Sequence, residues 1–190
     1  IALNANTTGS NNTAVGFGAL DTNTTTGNGT AIGYEALSAN TTSFNTAVGS
    51  QALKANTGGD SLVAVGAQSL VANTSGAGNT ALGKSALYGN TTGNFNVAVG
   101  ARSLDANTTG SGNTAVGEDS LSAATTANDN TAVGQNALKA NTSGANNTAV
   151  GQGSLDANTT GGSNTAVGTV ALSACTTAAN NTGVGYAALS

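Results

Sequence analysis

The sequence predicts an all-β fold, a parallel β-solenoid (β-roll) of about eleven coils of 17 residues. Three observations predict it. A glycine recurs at Gly16, Gly33, Gly49, Gly66, Gly83, Gly100, Gly117, Gly134, Gly151, Gly168 and Gly185, with nine intervals of 17 residues and one of 16. A leucine keeps the same beat from Leu3, Leu20 and Leu37 to Leu172 and Leu189. Large side chains are scarce: aromatics make up 3% and charged residues 6%, and Pro, Met, Trp and His are absent. Such a chain cannot fill a wide core, yet it can fill a narrow one many layers long. Its low hydrophobicity would suggest disorder, but disorder does not require leucine once per repeat. Residues 1–190 are therefore read as one repeat array in which each unit packs on its two neighbours. The opening in mid-repeat, Ile1-Ala2-Leu3, leads us to expect a fragment of a longer chain.

Within a repeat, helix is excluded by a fixed glycine, Asn-Thr-Thr and the β-branched Thr13 and Val15. Thr13-Ala14-Val15-Gly16 alternates instead, so Thr13 and Val15 point to one face and Ala14 and Gly16 to the other. A second short extended piece is expected around Ala19-Leu20, after a bend. Asn-Thr-Thr-Gly, as at Asn107 to Gly110, then supplies the return turn.

Positions sort by what they tolerate. The strand position is always aliphatic (Val15, Ile32, Val48, Val65, Leu82, Val99, Val116, Val133), and the next apolar position is always leucine (Leu20, Leu37, Leu53, Leu70, Leu87, Leu104). These two ladders are expected to form the core. The Ala14 position is Ala except at Gly183, and the Ala19 position is Ala or Ser, so both face tight space. The residues after each Gly and after each Leu differ from coil to coil and are read as solvent-facing. Asn recurs before Thr (Asn12, Asn45, Asn79) and in the return turn (Asn6 to Asn158), and stacked amides can bond along the rod. Val63 and Val97 replace that Thr, which makes its hydroxyl dispensable. In the short coil the turn Asn40-Thr41-Thr42-Ser43-Phe44 loses one residue and the strand beat resumes unchanged.

Little here carries chemistry, and no cofactor or enzyme activity is expected. Without His, and with Cys175 alone where most repeats have Asn, triads, disulfides and the common zinc sites are excluded. Glu118-Asp119 reads as a solvated edge, and Gly83-Lys84-Ser85 belongs to the repeat and not to a phosphate loop. Asp60, Asp105 and Asp129 hold different places in their coils, unlike the fixed Asp of calcium-binding solenoids. A net charge of −4 without a basic patch argues against nucleic acid. No apolar run approaches the roughly 18 residues of a membrane span. The Asn-x-Thr sequons are by-products of the repeat. A threonine column (Thr24, Thr41, Thr57 to Thr176) raises ice binding as an alternative, though it lies in a turn and lacks a two-column strand pattern.

The string Asn-Thr-Ala-Val-Gly-x-x-Ala-Leu-x-x-Asn-Thr-Thr-Gly resembles repeats of tail-fibre-like and adhesin-like surface proteins over essentially the whole chain. Its Thr-Ala-Val-Gly core also resembles the head repeats of YadA-type trimeric autotransporter adhesins, whose own repeat is shorter than 17. That resemblance implies a left-handed β-roll with three chains side by side. The residues leave two dispositions open: an outward Val15 column would need covering by copies of the chain, and an inward one would let a single chain suffice. The trimer is the favoured expectation. The function expected is a structural shaft or head of an extracellular fibre, on a cell surface or virion, from a bacterial adhesin or phage tail fibre. Phe17, Tyr34, Tyr88 and Tyr186 are candidate contacts to a host-surface or glycan receptor. An ice- or glycan-binding solenoid and an end-to-end filament subunit are the alternatives.

Overall fold

Each repeat contributes one three-residue strand to a single eleven-stranded parallel sheet in the computed structural model, which describes residues 1–190. The strands are β1 (Thr13–Val15), β2 (Thr30–Ile32), β3 (Thr46–Val48), β4 (Val63–Val65), β5 (Thr80–Leu82), β6 (Val97–Val99), β7 (Thr114–Val116), β8 (Thr131–Val133), β9 (Thr148–Val150), β10 (Thr165–Val167) and β11 (Thr182–Val184). They pair in chain order and in strict register, Thr13 with Thr30, Ala14 with Ala31 and Val15 with Ile32. At about 4.8 Å per strand the sheet is about 50 Å long. The register passes through the short coil unchanged, with Thr30 on Thr46. The missing residue is absorbed in the turn, where the Asn40 amide reaches the Thr42 carbonyl two residues on (2.6 Å), while Asn56 reaches Gly59, three on.

The strand face assignment corrects half of the expected core. Ala31, Ala47, Ala64 and their equivalents through Ala166 are fully buried, and Ala14 at the first coil is half-buried. Val15 is 57% exposed and Leu82 37%; Ile32 and Val65 are exposed too, and Val48, Val99, Val116 and Val133 are half-buried. The aliphatic strand column is thus the outer face. Alternation allows only one of Ala and Val to point inward, and a Cβ built at Gly183, the alanine position of β11, would already lie 2.9 Å from Leu172 Cγ. No room remains for a valine. The leucine ladder from Leu20 through Leu104 is fully buried, as expected.

The expected second extended piece is absent, because every leucine of the ladder has positive φ, between 49° and 55°. Residues after the strand form successive turns, with Ala19 N–H donating to Gly16 O and Asn23 N–H to Leu20 O. Left-handed φ strongly disfavours side chains branched at Cβ, while leucine branches one carbon later. The turn therefore takes leucine and the extended strand takes valine. Burial of each leucine stabilises by about 1.5–3 kcal/mol, enough to offset a conformational cost of about 1–2 kcal/mol.

Pairing continues through the turns, coil on coil: Leu20 N–H donates to Ala36 O (3.1 Å), Thr22 N–H to Ser38 O (3.0 Å) and Glu35 N–H to Phe17 O (2.8 Å). Gly100 must stay glycine, since at φ 130° its Cβ would lie 2.6 Å from the Gly117 oxygen of the next coil. Where serine replaces alanine at Ser69, Ser103, Ser120 and Ser154, its buried hydroxyl donates to the glycine carbonyl three residues back, at 2.9 Å each time.

Two asparagine ladders complete the interior. In the turn ladder, Asn73 donates to Asn56 Oδ1 (3.0 Å), Asn90 to Asn73 (2.8 Å) and Asn107 to Asn90 (2.8 Å). In the pre-strand ladder, Asn96, Asn113, Asn130 and Asn147 each donate to the Oδ1 of the asparagine one coil earlier, at 3.1–3.2 Å. The ladders meet on shared carbonyls: Gly110 O accepts from both Asn96 (2.9 Å) and Asn107 (3.0 Å). Where the ladder is unbroken, amides buried in this way are satisfied by their neighbours, and they bury no charge.

Candidate functional site

The strand face is a uniform surface that runs the length of the rod. Its two outward columns are Thr13 through Thr182, broken only by Val63 and Val97, and Val15 through Val184. Successive residues of a column are about 4.8 Å apart and the columns about 7 Å apart. No charged residue enters either column. Sequence alternation had put Thr13 and Val15 on one side; their exposure follows from the leucine and asparagine fill behind them.

The edge formed by residues after each Gly and Leu carries most of the charge and the tyrosines. Phe17 and Tyr34 stack there across one coil step, with ring centroids 6.0 Å apart and planes at 14°. Shallow depressions flank Phe17, one lined by Asp21, Thr22, Glu35 and Ser38 and the other by Ile1 and Asn4. Tyr186 shares the Phe17 column but lies nine coils beyond Tyr34, on the order of 40 Å away, and Tyr88 follows Leu87 in a separate column. The four aromatic residues therefore form one pair and two isolated side chains, not a joint site.

Charges on this edge pair between neighbouring coils. Lys54 Nζ is 2.7 Å from Glu35, and Lys54 with Gln51 holds the Glu35 carboxyl below its ordinary value. Arg102 reaches Asp119 (2.7 Å) and Glu118 (3.1 Å), and its hydrogen bond lowers Asp119 likewise. Asp105, partly buried with no such partner, is shifted upward by desolvation. Glu118 and Asp119 form a screened surface network, not an acid and base facing a common substrate position. The Arg102 to Asp119 pairing was readable from the sequence, since both hold the second position after glycine in successive coils. No group of three or more His, Cys, Asp or Glu side chains converges to hold a metal ion.

On the return turn, threonine hydroxyls turn along the rod. Thr74 donates to Thr91 O (3.0 Å), Thr91 to Thr108 O (2.9 Å) and Thr108 to Thr125 O (2.9 Å), so this column binds its own backbone. The sequon asparagines Asn23 and Asn90 are fully buried in the ladder, where no glycan can be attached. Cys175 ends the same ladder, its sulfur 3.7 Å from Ala178 O. No helix is long and apolar enough to cross a membrane. No protein-family model, curated protein or solved structure matches this chain.

Proposed function

We propose that this chain is a non-enzymatic structural segment of an extracellular fibre, a rigid rod that associates with copies of itself, as a homotrimer, through its strand face. The observation that carries the reading is the outward-facing, uncharged Thr and Val double column running through all eleven coils, half-buried to exposed along its length. A strip about 50 Å long and about 10 Å wide exceeds the scattered apolar exposure that needs no explanation. Three such strips facing a common axis would bury one another. Receptor contact, to a host surface or a glycan, falls to the variable edge, where Phe17 and Tyr34 stand out together. In this reading the rod serves attachment or spacing on a cell surface or virion, and the repeated backbone pairing supplies stiffness.

Light scattering at several concentrations tests this. A stable mass near three chains is expected; a mass of one chain at every concentration overturns it. One observation favours a second reading, an ice-binding face: threonine beside valine on a regular strand lattice, in place of the turn column first considered. That reading requires a single-chain rod with thermal hysteresis.

A further inference from the structure

We infer that strands β4 to β6 form the contact that locks two copies of this chain in register; the inference rests on the self-association proposed above. Five of the six outward residues there are apolar: Val63, Val65, Leu82, Val97 and Val99, with Thr80 between them. Strands β7 to β9 carry only three of six. Val63 and Val97 are each 37% exposed, and they are the two places where the threonine column turns apolar. They lie two rungs apart, about 10 Å, on either side of Thr80, while Val65 and Val99 flank Leu82 in the second column.

The occupant is a second copy of this chain. A face ribbed at one strand spacing for its whole length meets matching ribs only on a surface with the same repeat, and every copy carries one. The strip holds no charge, the composition expected at the centre of an interface and not its rim. Its planar area, on the order of 500 Å² before side-chain relief is counted, approaches the roughly 800 Å² that each partner gives to a standard interface. A uniform Thr and Val strip could slip by whole coils at little cost, because each shifted register repeats the same contacts. The patch breaks that degeneracy. Among the parallel registers, only the unshifted one sets all five apolar side chains of one copy against those of the next.

The test is sedimentation equilibrium on the intact chain, comparing wild type, Val63→Thr/Val97→Thr and Thr80→Val. Nine other coils carry threonine at the first position, so the double variant keeps the fold, and circular dichroism and melting check it. The double variant is expected to dissociate at least tenfold more readily and Thr80→Val to associate about threefold more tightly. Wild-type association with no change in either variant overturns the lock and leaves the fibre reading standing. A wild type that is monomeric throughout overturns both.

Discussion

Asn107 and Ala124 stand on successive rungs of one ladder, and the buried Oδ1 of Asn107 lacks a hydrogen-bond partner because alanine has no amide to offer. Asn158, one coil before Cys175, has the same orphaned oxygen. In both interrupted coils the glycine three residues on has become alanine, at Ala127 and Ala178. A Cβ on Gly110 would lie 2.2 Å from the Ala127 carbonyl oxygen of the next coil and 2.5 Å from Asn107 Oδ1, so amide and methyl compete for a space already narrowed by backbone. Thr26 keeps both in its coil by turning its hydroxyl onto Asn23 Oδ1.

Repairing the ladder therefore takes two changes. Ala124→Asn alone is expected to gain nothing or to destabilise, because its amide meets the Ala127 methyl. Ala124→Asn/Ala127→Gly is expected to stabilise by about 1–2 kcal/mol by satisfying the Asn107 oxygen. Urea unfolding of the two singles and the double gives the coupling. Additive effects would sink the space-sharing account.

The leucine ladder should reject a substitution that most cores accept. Leu104→Met is expected to cost under about 1.5 kcal/mol. Leu104→Ile should cost more, about 2–3 kcal/mol, because isoleucine at φ 53° adds backbone strain to repacking. Thermal melts of both variants decide it, and equal losses would mean that φ does not choose the residue.

Gly100→Ala puts a methyl group against the Gly117 carbonyl and is expected to cost about 3 kcal/mol or more. Ala101→Gly beside it, at a half-buried position, should change stability by less than about 1 kcal/mol. Melting temperatures of the pair test the claim that the glycine column is set by contact between coils.

Acid should reveal Asp105. Its folded-state carboxyl lies above its unfolded value because burial disfavours the charge, so the cost to stability is full above the folded pKa, shrinks as pH falls through it and is gone below the unfolded one. Asp105→Asn is therefore expected to raise the melting temperature at pH 7 and to match wild type near pH 3. Glu35 and Asp119 act in the opposite sense: their lowered pKa values contribute stability above the unfolded pKa that is lost as pH falls through the folded one. Half-buried themselves but paired with exposed Lys54 and Arg102 side chains, they contribute little.

Period, strand position, parallel stacking and the absorbed deletion in the short coil were legible in the sequence, because a solenoid repeats its contacts each time it repeats its residues. The direction of the valine column was not. Constancy at Val15 and its equivalents reads the same whether a neighbour within the chain or a copy outside it imposes the constraint. The leucine turn escaped notice for a related reason: an invariant leucine signals burial, and nothing in its identity announces a positive φ. The asparagine ladders were legible, yet their link to the glycine three residues on needed the distance between an amide oxygen and an absent methyl.

The unbroken register across the short coil bears on how such a chain changes over generations. In-frame duplication or loss of one repeat adds or removes a single rung, about 4.8 Å, and turns no side chain to a new face. Unequal recombination between near-identical repeats thus becomes a length adjustment, with the gene itself serving as a ruler marked in coils.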